Sequence, residues 1–237
     1  MKAKEHIRAG DAFQVVLSQR AERPTSASAL ELYRSLRRVN PSPCLFLLEL
    51  DDLALVGSSP ETLVKAEGRR ASLNPIAGTT RPGDGDAERL LSSEKDRAEH
   101  VMLVDLGRND LSRACRPGTV RVARFLEPEI SHFDLLRACF PAGTVSGAPK
   151  VRAMQLIAEL ERYRRGPYAG AVLYALPGEA LDACIAIRTV VLHDGIALLQ
   201  AGAGIVADSD PAAEHDECLR KLAALEMAIE LAEARSA

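Results

Sequence analysis

The sequence predicts an α+β fold in which large antiparallel or mixed β-sheets are flanked by helices. Apolar runs typical of strands follow one another closely and are joined by short turns, as in hairpins. Helical patterns separate these strand blocks, but strands and helices do not alternate regularly, as they do in βαβ units. The chain has 237 residues, of which 47% are hydrophobic, so it can bury a sizeable core.

The first half of the chain predicts both kinds of element. The expected elements are, in order, a helix over 3–9, a strand over 12–23, a helix over 25–40, strands over 44–50 and 53–59, and a helical pattern from 84 to 115. In the second helix, serine cap candidates precede Leu32, Leu36 and Val39, which share one helix face. The pair Asp51-Asp52 lies between two apolar runs and predicts the turn of a hairpin.

The second half predicts strands that are apolar enough to be buried. The expected elements are a strand over 118–126, a loop over 140–150, a helix from about 151 to 161, strands over 168–176, 181–192 and 196–204, and a last helix from about 211 to the end. Residues that favour strands dominate the three runs between 168 and 204. We therefore expect them to form the centre of a sheet.

Composition and charge exclude several classes of function. The net charge is −3 with both signs interspersed, and no basic run contains aromatic residues, so a nucleic-acid partner is not expected. The charged N-terminus does not resemble a secretory signal, and no apolar run is long enough to span a bilayer. Five cysteines form no CxxC pair, which indicates a reducing compartment. These features predict a cytoplasmic location without a membrane partner.

Two pairs of acids are three residues apart within helical patterns. Asp96 and Glu99 form one pair, and Glu214 and Glu217 form the other, with Lys221 one helical turn further on. If the two helices faced each other, carboxylates about 4 Å apart would repel by roughly 4 kcal/mol at an effective dielectric constant near 20. A hard cation such as Mg²⁺ would relieve that repulsion. The spacing alone fits ordinary solvated helix faces better.

Two glycine-containing segments admit a functional or a structural explanation. Gly202, Ala203 and Gly204 begin a GxGxxA pattern after a strand, but only one helix follows, so a dinucleotide-binding βαβ unit is excluded. Glycine there indicates close approach to a ligand or to a neighbouring strand. The loop 140–150 could bind an anion at the start of the next helix or serve as a plain connection.

Eight motifs together resemble one family. In the family's order they are "GDAFQVVLSQR", "VGSSPETLV", "PIAGT", "RAEHVMLVDLGRNDL", "FPAGTVSGAPK", "RGPYAGAV", "DACIAIRT" and "AGAGIVADSDPAAEHDECLRK". They resemble the catalytic domain of the chorismate-utilising enzymes, most closely the branch of anthranilate synthase component I. The resemblance covers almost the whole chain, and it implies the family's layered sandwich of β-sheets with flanking helices.

The resemblance implies a magnesium site between the two acidic helices. Glu99 and Glu217 are then the ligands of Mg²⁺, which binds the ring carboxylate of chorismate. Asp96 and Glu214 support them directly or through water, although Asp96 is one methylene shorter than the glutamate usual in the family. Lys221 pairs with the same substrate carboxylate.

The resemblance also implies a set of substrate contacts. Tyr168 and Arg188 hold the enolpyruvyl carboxylate, and arginine presents a fork that matches a carboxylate. The remaining contacts implied are backbone N–H groups of Gly202, Ala203 and Gly204 on the dianion, Gly78 and Thr79 against the ring, and Thr144 near the reacting side.

Two positions of the motifs indicate the reaction. Family members that add water have a lysine base where this chain has Gln14, and lysine-nucleophile aminodeoxychorismate synthases have lysine where it has Ala77. The remaining expectation is direct attack of ammonia at C2 with loss of the C4 hydroxyl, then elimination of pyruvate to give anthranilate. A glutamine amidotransferase subunit would supply the ammonia. The alternatives are an aminodeoxychorismate synthase-like enzyme and an impaired fragment that only binds chorismate and Mg²⁺.

The chain departs from the family pattern in three places. We expect residues 1–237 to be a catalytic domain that lacks the family's upstream regulatory region and is therefore insensitive to tryptophan. A segment of the family pattern is missing after His132, so we do not assign the role of the family's catalytic histidine to His132. Thr80 is inserted in the "PIAGT" region, and Leu173 replaces a family glycine.

Overall fold

The computed structural model describes residues 1–74, 94–115, 119–120 and 131–236, and of residues 94–99 and 236 only the backbone. The predictions at Gly78 and Thr79, most of the strand over 118–126 and the side chains of Asp96 and Glu99 therefore lie outside the described residues. The helices are α1 (Lys2–Arg8), α2 (Ala29–Val39), α3 (Glu94–Ser112), α4 (His132–Cys139), α5 (Gly143–Ser146), α6 (Lys150–Leu160) and α7 (Pro211–Ser236).

The described strands form two sheets. They are β1 (Gln14–Pro24), β2 (Cys44–Glu49), β3 (Ala54–Ser59), β4 (Thr62–Glu67), β5 (Arg70–Ser72), β6 (Gly147–Ala148), β7 (Ala171–Leu176), β8 (Ala180–Ile185), β9 (Thr189–His193) and β10 (Ile196–Ile205). One sheet has the order β2-β3-β9-β10-β1-β6, and the other has the order β5-β4-β8-β7. The α+β class predicted from the sequence is confirmed.

The chain divides into two compact units. The first consists of Met1–Pro60, Val145–Val172 and Cys184–Ala237, and it contains the whole of the first sheet. The second consists of Glu61–Thr144 and Leu173–Ala183.

In the first unit, α2 and α7 pack on the larger sheet. Leu32 and Leu36 of α2 are fully buried in one cluster with Leu225 and Ile229 of α7 and with Leu199 of β10. The predicted face of α2 is therefore its core face. A capping box begins this helix, since the Ser28 hydroxyl accepts from the Glu31 N–H while the Glu31 side chain accepts from the Ser28 N–H.

Strands β1 and β10 form the longest ladder of this sheet. They pair antiparallel from Val15 opposite Ile205 to Pro24 opposite Ile196. Strand β9 pairs with β10 only over Ile196–Leu199. The glycine-containing end of β10 therefore has β1 as its ladder partner and extends beyond β9.

In the second unit, α4 begins at His132. The Ser131 hydroxyl caps this helix by accepting from the Asp134 N–H at 3.2 Å. The His132 Nε2 lies 3.0 Å from the Gly68 carbonyl oxygen, next to the turn between β4 and β5. His132 thus has a local structural contact, consistent with not assigning it the family's catalytic role.

Three sequence-based expectations about elements were wrong or incomplete. The single strand expected over 181–192 is two strands, β8 and β9, which belong to different sheets. The chain changes sheet at Arg188, whose backbone has a positive φ of 50°. The loop expected over 140–150 contains α5 and β6, and the sequence patterns gave no sign of β4, β5 or α4. Within the described ranges, each helix is too short or too polar to cross a membrane.

Candidate active site

The site lies in the first unit, where the glycine-containing end of β10 faces α7. The Lys221 Nζ donates to the Gly202 carbonyl at 2.8 Å and to the Glu217 Oε1 at 2.6 Å. Lys221 therefore ties the helix to the strand. Glu214, Glu217 and Lys221 are buried or half-buried, so this face of α7 is not the solvated surface that their spacing alone favoured.

The ladder leaves backbone donors of β10 exposed to this site. The Ser18 N–H binds Glu161 and not β10, so Ser18 and its partner Gly202 form a non-hydrogen-bonded pair of the ladder. The N–H of Gly202, and that of Gly204 two residues on, therefore point away from β1. Pairing with β9 ends at Leu199, so neither neighbouring strand of the described sheet takes these N–H groups. They are positioned to bind an anion.

Tyr168 lies directly against Gly202. A Cβ atom on Gly202 would lie 2.7 Å from the Tyr168 hydroxyl and 2.8 Å from the Leu17 carbonyl oxygen, so only glycine fits. Burial raises the pKa of the Tyr168 phenol, more than the nearby Arg165 guanidinium lowers it. The hydroxyl is therefore neutral at ordinary pH and can donate a hydrogen bond to a substrate carboxylate.

Arg188 brings a half-buried positive charge close to Glu217. Its backbone carbonyl accepts from the Ser58 N–H at 3.1 Å, which fixes the residue where β8 passes into β9. Burial lowers the pKa of the guanidinium, and the Glu217 carboxylate opposes that shift. Lys221 thus binds Glu217 directly, and the Arg188 charge interacts with the same carboxylate.

Glu214 has a structural partner at the start of α7. The buried Ser209 hydroxyl donates to the Glu214 Oε1 at 2.8 Å and accepts from the Val206 N–H at 3.1 Å. These bonds fix the turn between β10 and α7. Through that turn, Glu214 sets where Glu217 and Lys221 meet the end of β10.

Gln14 lies against Gly204, the second glycine at this end of β10. Its side chain is 2% exposed, and the Nε2 lies so close to the Gly204 Cα that a Cβ would collide with it. The Oε1 is buried and has no hydrogen-bond partner among the described residues. A buried carbonyl oxygen without a partner is costly, so a hydrogen-bond donor on a ligand would bind there favourably.

Thr144 is the last residue of the second unit. Its hydroxyl oxygen is buried, and the described residues provide it with no hydrogen-bond partner. The neighbouring Gly147 has φ 132° and approaches the Gln14 carbonyl too closely for a Cβ, because β6 pairs with β1 there. The "PAGTVSGAP" segment is thus partly a structural support for β1.

The first unit brings together most of the predicted site residues whose side chains are described. These are Gln14, Tyr168, Arg188, Gly202, Ala203, Gly204, Glu214, Glu217 and Lys221. Sequence reasoning missed a second layer, in which Arg165 lies 5.6 Å from the centre of the Tyr168 ring. Its position three residues before Tyr168, inside the quoted motif "RGPYAGAV", was the available signal.

The carboxylates of this site suit a hard cation. Glu217 offers oxygen ligands, and its Oε1 already binds a positive group, the Lys221 ammonium. No cluster of three or more His, Cys, Asp or Glu that could hold a metal occurs among the described side chains, which do not include Glu99 and Asp96. Among the described residues, Glu217 therefore offers a carboxylate of the kind that Mg²⁺ prefers.

Comparisons with known proteins identify the family of this chain. The sequence family described as chorismate binding enzyme matches residues 1–227. Anthranilate synthase component 1 of Streptomyces coelicolor is 51% identical over 98% of this chain, which covers 51% of that protein.

Two solved structures show the same fold. The crystal structure of anthranilate synthase component I from Streptococcus pneumoniae is 41% identical, with a TM-score of 0.84 over 94% of this chain and 55% of that one. The menaquinone-specific isochorismate synthase of Escherichia coli is 26% identical, with a TM-score of 0.84 over 96% of this chain and 59% of that one. The chain spans about half the length of the curated relatives it matches.

Proposed function

This chain belongs to the family of chorismate-binding enzymes, and on that premise we propose that it is the catalytic part of an anthranilate synthase component I. The proposed reaction is magnesium-dependent amination of chorismate at C2 with ammonia, followed by elimination of pyruvate to give anthranilate. The observation that carries the proposal is the convergence of Tyr168, Arg188, Lys221 and the outward N–H groups of β10 on one place.

These groups suit a doubly charged substrate. Two cations, Arg188 and Lys221, and the neutral Tyr168 hydroxyl can all donate to carboxylate oxygens, and their partial burial strengthens each bond. Arg188 and Tyr168 would bind the enolpyruvyl carboxylate. Lys221 and the N–H groups of Gly202 and Gly204 would bind the ring end.

Glu217 would hold Mg²⁺ together with Glu99, with Glu214 and Asp96 in support. When bound, the ion would orient the ring carboxylate and stabilise negative charge as the hydroxyl leaves. The Lys221 ammonium, 2.6 Å from the Glu217 Oε1, would hold that carboxylate in place for the ion.

Gln14 would position the nucleophile. Its carboxamide does not titrate near neutral pH, so it cannot act as the base that would activate water. Its buried Oε1 can accept one N–H of ammonia and direct the nitrogen lone pair at C2. The new N–C2 bond forms as both ring double bonds shift and the C4–O bond breaks, and the departing hydroxide takes the extra proton of the nitrogen and leaves as water. Loss of the C2 proton with cleavage of the C3–O bond then releases the enolpyruvyl group, which takes up a proton to become pyruvate, and the ring becomes aromatic.

Ammonia is proposed to come from a glutamine amidotransferase subunit in the cytoplasm. The names of the relatives, which describe a component 1, support a partner chain. This chain alone should therefore use free ammonium.

The test is turnover of chorismate by the purified chain with Mg²⁺ and ammonium chloride, followed by anthranilate fluorescence and a pyruvate assay. We expect equal amounts of anthranilate and pyruvate, and none without ammonium. A para-aminated product would replace the proposal with an aminodeoxychorismate synthase-like activity. Binding of chorismate without turnover would show an impaired fragment.

Arg188 provides a residue-level test of the same proposal. Replacing Arg188 by Gln should raise the KM for chorismate about 10–100-fold, because a charged hydrogen bond to a carboxylate contributes about 1.5–3 kcal/mol. The exposed Arg164 is the matched control, and Arg164→Gln should leave the KM unchanged. Equal KM values for the two variants would show that Arg188 does not bind the substrate.

A further inference from the structure

We propose that Arg165 is a positioning residue that sets the affinity for the substrate by fixing Tyr168 and the segment at Val145 against strand β1. The inference rests on the proposed function, because it concerns the carboxylate contact assigned to Tyr168. It adds a layer of residues behind the substrate contacts, formed by Arg165, Glu161 and Ser18.

Arg165 makes four directional hydrogen bonds. Its Nε donates to the Glu161 Oε2 at 2.9 Å, and its Nη2 donates to the Glu161 Oε1 at 2.7 Å, which gives a two-point ion pair. Its Nη1 donates to the Val145 carbonyl at 2.6 Å, and its Nη2 also donates to the Val16 carbonyl at 2.7 Å. One side chain thus joins α6, the segment before β6, and β1.

Glu161 extends the network along β1. Its Oε1 accepts from both the N–H and the hydroxyl of Ser18 at 2.8 Å. Gln200 of β10 donates to the same hydroxyl at 2.7 Å. The Arg165 and Glu161 side chains are only 16% and 8% exposed, so these bonds are shielded from water.

The network ends at the substrate contacts. Ser18 lies opposite Gly202 in the ladder between β1 and β10, and its Cβ would be 3.3 Å from a Cβ on Gly202. The Tyr168 hydroxyl lies against the same glycine, while its ring lies beside the Arg165 guanidinium. Arg165 therefore lies beside Tyr168 and, through Glu161 and Ser18, holds β1, the strand that pairs with Gly202 of β10.

This geometry requires arginine. A planar guanidinium offers five N–H donors in a fixed fork, whereas a lysine ammonium offers donors from a single nitrogen. A buried ion pair adds little net stability, because the cost of desolvating both charges offsets their attraction. The role of the four bonds here is to fix the direction of the Arg165 guanidinium, which lies beside the Tyr168 ring and limits its movement.

The experiment compares Arg165→Lys with Arg164→Lys, an exposed neighbour in the same segment. For each purified variant we would measure KM and kcat for chorismate, KM for ammonium, and the Kd of chorismate with Mg²⁺ but without ammonium. We expect Arg165→Lys to raise the KM and Kd for chorismate about tenfold or more, as for a loss of about 1.4 kcal/mol. The KM for ammonium and the control should stay within about twofold.

A purely structural role would give a different result. Loss of folded protein lowers the apparent kcat and leaves KM and Kd unchanged, so an unchanged Kd with the melting temperature lowered would overturn the inference. If Arg165→Lys does not fold, Ser18→Ala is used instead, since it removes one bond to Glu161 and retains the backbone bond. Ser18→Ala should then raise the Kd two- to fivefold, and an unchanged Kd would overturn the inference.

The two proposals fail in different ways. If the unsubstituted chain turns over chorismate and the Arg165 and Ser18 variants bind it equally well, only the positioning role is wrong. If the unsubstituted chain neither binds nor converts chorismate, both the proposed function and the positioning role are wrong.

Discussion

Gln14 shows how a single residue can link stability and chemistry. A carboxamide in β1 is buried with its Oε1 unpaired among the described residues, at a place where an apolar side chain would fit a strand equally well. Leaving a buried acceptor unpaired costs about 1–3 kcal/mol. The cost is explained if ammonia, the proposed nucleophile, pairs with that atom during the reaction.

Gln14→Leu should therefore separate folding from activity. We expect kcat/KM for ammonium to fall about 10–100-fold, because one hydrogen bond to the nucleophile is lost. The Kd for chorismate should change little, and the melting temperature should not fall and should rise if relief of the unpaired acceptor dominates. Gln19→Leu, on the same strand but in an exposed hydrogen bond with His215, is the control and should keep full activity. Equal activity of both variants would contradict the role of Gln14.

Gly202 tests the close approach between β10 and Tyr168. A methyl group at Gly202 would lie within 2.8 Å of both the Tyr168 hydroxyl and the Leu17 carbonyl oxygen. Gly202→Ala should destabilise the fold by about 1–3 kcal/mol through overpacking, measured by urea unfolding. It should also raise the KM for chorismate.

Combining this change with Tyr168→Phe gives the control. Removing the hydroxyl relieves one of the two clashes, so Gly202→Ala should cost less stability in the Tyr168→Phe background than in the unsubstituted chain. Additive losses would show that the hydroxyl and Gly202 are independent.

At the scale of elements, helix α7 connects the core to the site. Its buried residues Leu225 and Ile229 pack against α2 and β10, and Lys221 and Glu217 reach the end of β10 one to two turns earlier. Ile229→Ala should lower the free energy of unfolding by about 2–5 kcal/mol, because a fully buried side chain leaves a cavity. Met227→Ala, 56% exposed on the same helix, should change it by less than about 0.5 kcal/mol.

The C-terminal part of α7 also carries a pH-dependent contact. Glu233 accepts from the Thr25 hydroxyl at 2.7 Å and from Arg23 at 2.8 Å. The bond from Thr25 is the largest cause of a pKa below the ordinary value of 4.5. A carboxyl with a lowered folded-state pKa adds stability above its unfolded pKa, and that stability is lost as the pH falls through the folded pKa.

Glu233→Gln should therefore lower the melting temperature at pH 7, and the difference should disappear as the pH falls below 4.5. Glu230→Gln is the control, since Glu230 is 67% exposed and lies 3.5 Å from Arg23. A difference for Glu233→Gln that persists at pH 3 would show that its carboxylate charge is unimportant.

Local pattern was sufficient to predict some elements and insufficient for others. Helix α2 was predicted because its cap at Ser28 and its apolar face at Leu32 and Leu36 are contained in the segment itself. The change of sheet at Arg188 could not be predicted, because β8 and β9 form one apolar run and differ only in which distant strands they pair with. The hydrogen bonds of Arg165 could not be predicted because Val16 and Glu161, its partners, meet only in the folded chain.

At the scale of the whole molecule, the cysteines report on the compactness of both units. Cys115, Cys139, Cys184 and Cys218 are buried, and Cys44 is half-buried. Burial raises the pKa of the Cys115 and Cys218 thiols, which reduces their reactive thiolate form. Five thiols should react with Ellman's reagent in denaturant. In the native chain the four buried ones should react far more slowly, unless either unit opens readily.

The pairing of β1 with β10 also has a consequence for synthesis on the ribosome. Val15 is translated tens of seconds before its partner Ile205 at roughly 5–20 residues per second. During that interval β1 is an apolar strand without the neighbour that completes it, and it is therefore open to capture by chaperones. A messenger that ends before Gly202 would yield a nascent chain in which neither the longest ladder nor the anion-binding end of β10 can form.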